Sequence, residues 1–487
     1  MPLNRSLAVL LLVAVAVKVI YFTQYLTLPI LNGPAFDSLA YLRQARAIVD
    51  GRFDDASLIA FSPLYGYALA LIGAHEHHVR IVVFQLLLGC LNLVLVYHLA
   101  ERLFDRRAAF VSTALYLTYG LLVFYETKLM AETLGLSLSL LTLWLCTDRA
   151  VVGGRVRVAL VAGSVFALAL LARSNLLLVA PFVLLALLLP WRQTAPRFDD
   201  DAWSVRLRRT LGFALGLALV LGANGTWNHA NTGLFVPVIL RSATASRAST
   251  ATWDGNLSAF SNRADGNVGV FDVISQAEAR LAGRAAVAPD AGIDVVGVIA
   301  AAPRKFSDTF RNVETDFQYG YYGERTEVPI FGVMSGSFGM LGVLAFVGIA
   351  ELFRTRRSSL LIPLAPWALG AVATTILIHP SSRYRMPLVL ALLPLAGVGA
   401  VWLWDQRRDR RSWPIIAPVV LACGYFTHAT LNYELKDPAM WQLRMAESAL
   451  SASDLEEAER RIARAQAIAG DKPHIRHRIE YLRGRSP

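Results

Sequence analysis

The sequence predicts an all-α polytopic membrane protein of about eleven transmembrane helices, each using about 20 apolar residues to cross the hydrocarbon core. Three observations predict it. The 487 residues are 55% hydrophobic and only 17% charged, against about 25% charged in ordinary soluble chains, and the mean hydropathy is +0.46. Apolar runs of span length recur from residue 7 to residue 432. Every second short connection between these runs is rich in arginine.

The predicted spans are 6–26, 79–100, 108–125, 130–147, 156–172, 174–190, 210–228, 330–351, 359–378, 386–404 and 413–431. The first is longer than a signal-peptide core and lacks a small-residue cleavage site, so it reads as an uncleaved span. Arg102, Arg106 and Arg107 follow the second span, and Arg149, Arg155 and Arg157 follow the fourth. Arg192, Arg197, Arg206, Arg208 and Arg209 follow the sixth, Arg354, Arg356 and Arg357 the eighth, and Arg407, Arg408, Arg410 and Arg411 the tenth. Lys and Arg near span ends stay cytoplasmic. These loops and the N-terminus are therefore expected on the cytoplasmic side of a bacterial inner membrane. The net charge of +11 is then an orientation signal, and no nucleic-acid partner is expected.

The apolar segment 61–74 is too short to span. Counting it as a span would turn the arginine clusters outward, so it reads as a re-entrant or interfacial helix on the outer face. That face then carries a first loop (27–78), a turn at 125–129, a turn at 173–175, a long loop (229–329) and a turn at 379–385. The long loop is polar over 254–269 and shows helical patterning over 272–286 and 295–311, which predicts a mainly helical outer layer. The membrane domain covers 1–432. The tail, 433–487, reads as a hairpin of two amphipathic helices, with Ser453-Asp454 opening the second. Its Ala and Leu spacing is like half of a tetratricopeptide repeat, and one such unit cannot stack on itself. It either caps the membrane domain or docks a partner. Cys90, Cys146 and Cys423 each sit in an apolar run and read as packing residues.

Ionisable residues at or within a bilayer are costly and need a reason. Asp37 opens a helical segment at 37–49 with Tyr41 one turn on; it is either an N-cap or a general base at an outer cavity. Glu126, Lys128 and Glu132 form a tight group across the 125–129 turn, either a short-loop ion pair or a functional set facing Asp37. Arg173 interrupts an apolar stretch and either snorkels or binds phosphate. Arg383, Tyr384 and Arg385 join two spans on the outer side, and arginine suits bidentate recognition of an anion. His75-Glu76-His77-His78 has metal-ligand residue types, but neighbours in sequence rarely converge on one ion, and a solvated turn is expected. No glycine-rich phosphate loop or nucleophile elbow is present.

Taken in order, several segments resemble the membrane glycosyltransferases of the GT-C fold. They are Phe36-Asp37-Ser38-Leu39-Ala40-Tyr41 continuing to Gly51, Ser62-Pro63-Leu64-Tyr65, Val79-Arg80, and Glu101-Arg102-Leu103-Phe104. Leu129-Met130-Ala131-Glu132-Thr133-Leu134, Ala172-Arg173-Ser174 and Arg383-Tyr384-Arg385-Met386-Pro387 complete the set. The bacterial members resembled are the RgtA/B/C/D-like domain proteins, related to dolichyl-phosphate-mannose protein mannosyltransferases and lipid A aminoarabinose transferases. The chain departs from them at Ser62-Pro63, where relatives carry Lys-Pro or Pro-Pro. It departs again at Gly225-Thr226-Trp227-Asn228-His229, which lacks the relatives' arginine.

The resemblance implies a GT-C bundle and an inverting hexosyl- or pentosyltransferase. Such an enzyme moves a sugar from a polyprenyl-phosphate carrier to a lipid, glycan or protein acceptor at the outer face. It implies Asp37 as general base, with Glu132 and Glu126 orienting substrate or a divalent metal whose requirement stays open. Lys128, Arg173, Arg383 and Arg385 would hold the lipid phosphate, and Tyr41 and Tyr384 would position substrate. A flippase for a lipid-linked glycan and a non-catalytic assembly protein acting through the tail are the competing classes.

Overall fold

The computed structural model describes residues 5–31, 33–34, 37–190, 202–239, 278, 281–282, 295–314, 319–378, 380–431, 438–469 and 473–484. The polar stretch 254–269, most of the 272–286 pattern, and Phe36, Arg192, Arg197 and His379 lie outside the described residues. Among the described residues every regular element is helical.

Each predicted span contains helix. Arg5–Tyr25, His78–Leu103, Trp203–Thr232 and Ser382–Gln406 are long and apolar enough to cross a membrane. Shorter helices occupy other predicted spans: Glu132–Cys146, Val156–Ala172, Ala180–Leu188, Phe338–Arg354 and Ala365–Leu377. Trp413–Leu431 fills the last. Two spans are broken. The 108–125 run divides at Tyr119 into Arg106–Thr118 and Gly120–Tyr125. The 174–190 run begins as a 3-10 turn, Ser174–Leu178, before Ala180–Leu188. Proline in the first turn of that helix has no N–H to donate, so it starts a helix readily and cannot continue one.

The 61–74 segment forms the helix Pro63–Ile72, closed by Gly73 in the left-handed region at φ 65°. Ten residues reach about 15 Å at 1.5 Å per residue, half a hydrocarbon core. Tyr65 and Leu69 are buried while Leu71 is 90% exposed, so the helix has one packed face and one bare face.

Glycines set the closest helix crossings. A Cβ on Gly348 would overlap the Leu395 carbonyl, and one on Gly399 the Leu344 carbonyl, so Phe338–Arg354 and Ser382–Gln406 touch backbone to backbone. Gly163 and Gly216 join Val156–Ala172 to Trp203–Thr232 in the same way. Helices in lipid gain no hydrophobic force from each other, and close approach on small residues supplies the packing instead. At one end of this bundle Arg209 is buried and donates to the carbonyls of Leu187, Leu189 and Val152 at 2.6, 2.9 and 3.2 Å. It satisfies carbonyls that helix ends leave open.

Part of the long 229–329 loop forms the helix Val295–Thr309. Lys305 Nζ donates to the carbonyls of Ile376 and Ile378 at 3.0 and 2.9 Å, and Thr309 Oγ1 bonds Thr375 Oγ1 at 2.7 Å. These bonds seat the helix on the end of Ala365–Leu377.

The tail contains three helices, Pro438–Ser451, Leu455–Ala469 and Pro473–Arg483, rather than the expected two. Ser453 takes a left-handed φ of 60° and breaks the chain, and Asp454, one residue on, caps the next helix by accepting from the Glu457 amide at 3.1 Å. The three share a core of Leu443, Ala446, Ile462, Ile475 and Leu482. Their first helix lies on the segments that carry Gly33 and Glu327. Glu327 Oε1 accepts from Arg461 Nη1 at 2.6 Å, Trp441 Nε1 at 2.9 Å and Gln442 Nε2 at 3.1 Å.

Two expectations follow. Gly399→Val overfills a backbone contact, which costs about 1–3 kcal/mol or more, and should lower the apparent unfolding temperature in detergent; the same change at Gly424, which has open space around it, should not. The second concerns pH. Burial raises the Glu327 carboxyl pKa, but the hydrogen bonds from Arg461 and Trp441 and the Arg461 charge outweigh it and hold the group below its usual value. A depressed carboxyl stabilises above its unfolded pKa and loses that contribution as pH falls through the folded value. Limited proteolysis should therefore find the tail protected at neutral pH and released in acid, with Glu327→Gln already susceptible at neutral pH.

Candidate active site

Three helix starts and one helix end meet at the predicted residues. Asp37 is the first residue of Asp37–Val49, Glu132 the first of Glu132–Cys146, and Arg383 the second of Ser382–Gln406. Arg173 follows Val156–Ala172 in extended backbone at φ −143°. Asp37 and Glu132 thus stand in the first turns of their helices, at the positive end of each helix dipole.

Arg383 Nη1 donates to Asp37 Oδ2 at 2.9 Å and lies 3.5 Å from Glu132 Oε1. Arg173 Nη1 also bonds Glu132 Oε1, while its Nε donates to Asn175 Oδ1 at 3.2 Å. Gly135 leaves room for Arg173, since a Cβ there would press on the arginine's methylene groups. The ring of Tyr384 sits 5.7 Å from the Arg173 guanidinium and 5.8 Å from that of Arg383, within cation–π range. Tyr41 is buried edge-on against Tyr65 at 4.9 Å. Burial, then the charges of Asp37 and Glu132, raises its phenol pKa above the usual value, so it stays neutral. Asp37, Glu132, Arg173, Arg383, Tyr41 and Tyr384 thus form one neighbourhood. The side chain of Glu132 is 1% exposed and that of Asp37 is 25% exposed, so Asp37 is the carboxylate that an incoming molecule reaches.

The structure does not bring Glu126, Lys128 and Arg385 to this group. Glu126 turns inward and pairs with Lys18 from the first helix, with Tyr116 OH 3.4 Å away. Lys128 is fully buried. Its Nζ donates to Glu324 Oε2 at 2.5 Å and Thr127 Oγ1 at 2.9 Å, and lies over the rings of Tyr25 and Phe124 at 4.2 and 4.3 Å. Arg385 Nη2 donates to Glu314 Oε2 at 2.6 Å and Val313 O at 2.8 Å, and its Nη1 donates to Arg311 O at 2.6 Å. The reason is local. The 126–131 turn fans its side chains in different directions, and Arg383 and Arg385 are two apart on a helix, where residues do not share a face.

Sequence reasoning missed Lys18, Glu314 and Glu324. A signal existed for the first: a lysine inside an otherwise apolar span demands a partner. Glu314 and Glu324 are ordinary loop acids by sequence, and only the fold identifies them as counterions. His78 Nδ1 meets the Leu31 carbonyl at 3.1 Å. Among the described residues no three of His, Cys, Asp and Glu come together to hold a metal ion. The Arg383 guanidinium lies between Asp37 and Glu132.

Residues 61–225 match the dolichyl-phosphate-mannose-protein mannosyltransferase family. That stretch is roughly a third of the chain and contains Glu126, Lys128, Glu132 and Arg173; Asp37 and Arg383 lie on either side of it. No curated protein matches the chain by sequence. Among solved structures it is similar to the oligosaccharyltransferase of Archaeoglobus fulgidus in its apo form. The identity is 14% and the TM-score 0.47, covering 97% of this chain and 60% of that one. The same enzyme in complex with an inhibitory peptide and a dolichol-phosphate gives 14% identity and a TM-score of 0.44 over the same shares. The chain therefore spans 60% of the length of that enzyme.

Removing the charge of Glu132 tests the cluster. Glu132→Gln leaves two guanidiniums without their shared carboxylate, and breaking a buried pair costs about 3–5 kcal/mol. Thermal unfolding in detergent should shift down clearly, and an unchanged midpoint would show that the three groups do not act as one unit.

Proposed function

We propose that this protein is an inverting glycosyltransferase. It takes a hexosyl or pentosyl group from a polyprenyl-phosphate carrier at the outer face of a bacterial inner membrane and passes it to a lipid, glycan or protein acceptor. The observation that carries the reading is the partly exposed Asp37 carboxylate, bonded to Arg383 and set beside a second arginine, Arg173. The match of residues 61–225 to a glycosyltransferase family supports it.

The chemistry follows from these groups. The acceptor hydroxyl oxygen forms a bond to the anomeric carbon from the face opposite the phosphate, and its proton passes to Asp37. The bond from the anomeric carbon to the phosphate oxygen breaks, and the electron pair leaves with the polyprenyl phosphate. Configuration inverts. Arg383 and Arg173 face the charge that develops on the departing phosphate, and such preplaced donors favour the transition state. Tyr384 and Tyr41 form apolar walls that orient the sugar or acceptor. Lys128 and Arg385 support the site from behind, one through Glu324 and the other through Glu314.

A general base contributes about 10²–10⁴-fold in rate. Asp37→Asn should express and fold normally yet lose transfer by that order. Mass spectrometry of envelope glycans and lipids from a deletion strain, complemented with either form, reads both the missing sugar and its restoration. Restoration by Asp37→Asn at wild-type level would rule out the base role.

A further inference from the structure

The tail reaches the first turn of the Asp37 helix by two routes. The helix Pro438–Ser451 lies against the connection that precedes Asp37: Ser448 Oγ donates to Gly33 O at 3.3 Å, and a Cβ on Gly33 would overlap the Ser448 backbone. The second route starts at Trp441. Its indole lies on Gly323, where a Cβ would overlap the ring, and near Gly320, where a Cβ would stand 3.1 Å from it. Gly320 takes a left-handed φ of 70°. Its neighbour Tyr319 is buried and bonds Ser38 through its hydroxyl. Ser38 Oγ donates to Leu129 O at 2.9 Å, so it accepts from Tyr319. Ser38 is fully buried and adjacent to Asp37.

We propose that Ser38, Tyr319 and Trp441 are positioning residues that fix the direction of the Asp37 carboxylate, so that the C-terminal tail holds the reacting geometry as well as the fold. The proposal rests on Asp37 being the general base. The physical need is clear. Asp37 is the first residue of its helix, where the backbone lacks the full set of intrahelical bonds. A displacement of about 1 Å at a reacting group costs on the order of 10²-fold in rate. Arg383 holds one carboxylate oxygen, while Ser38 and Gly33 hold the backbone on either side. Tyr319, beside a segment that the tail covers, and Ser448, within the tail itself, reach those two residues.

The test uses the full-length protein in lipid nanodiscs. Tyr319→Phe removes only the hydroxyl, and Trp441→Ala removes the indole. Each should raise amide hydrogen exchange in peptides covering 37–49 and lower kcat for transfer by about tenfold or more, with donor KM within about a factor of two. Ser38→Ala should do the same, and combining it with Tyr319→Phe should add little, because both sit on one path. If Trp441→Ala does not fold, Tyr319→Phe and Ser38→Ala still decide the matter. Exchange that rises only in peptides covering 438–483, with kcat unchanged, would overturn the proposal. Asp37→Asn separates the two levels. If it stays active, the base reading fails; if it is inactive while Tyr319→Phe keeps full kcat, only the positioning role fails.

Discussion

The bond between Arg383 and Asp37 joins residues 346 apart in sequence, and the site depends on it. Each partner belongs to a helix that begins there, so the bond fixes the ends of two elements relative to each other. Glu132 and Arg173 add two more ends. A charge taken out of water needs an opposite charge close by, and this requirement forces four separate segments into one small volume. The formal charges balance, two carboxylates against two guanidiniums. Any anion that binds here competes with a carboxylate for donors that are already in place.

A second set of buried pairs lies beside the first. Lys18–Glu126 and Lys128–Glu324 tie the first helix and the 126–131 turn to the segment 321–327. Tyr21 bonds both Thr127 and Glu324. Gly89 makes this possible, because a side chain there would collide with Glu126 and Lys18. These pairs act as fasteners. They hold the segment that carries Glu324 and Glu327 against the bundle, which is the segment on which the tail rests.

Much of the fold was legible because apolar run length and arginine placement are read directly from residue types. The span limits agree with helix limits to within a few residues over most of the chain. What composition could not show was continuity. A tyrosine-glycine step divided one predicted span and a proline divided another, while the tail held a third helix. The site was legible in part. Asp37, Glu132, Arg173 and Arg383 stand out because they lie on the connections that the arginine clusters leave out, where charged residues next to apolar runs are few. Glu126, Lys128 and Arg385 stand out equally in sequence, yet their partners, Lys18, Glu324 and Glu314, come from other parts of the chain. Which basic residue joins the Asp37 cluster and which pairs elsewhere depends on those distant partners, and no local pattern reports it.

The seating of the long 229–329 loop has its own consequence. Lys305 and Thr309 fasten it to Ala365–Leu377, and Arg385 grips the carbonyls of Thr309, Arg311 and Val313. Whatever precedes residue 295, the chain re-enters the bundle at a fixed address. The helix start that carries Arg383 is therefore held from the 295–314 side, while Glu278, earlier in the loop, pairs with Arg43 on the Asp37 helix at 2.7 Å. One loop thereby braces two of the helices whose first turns meet at the site.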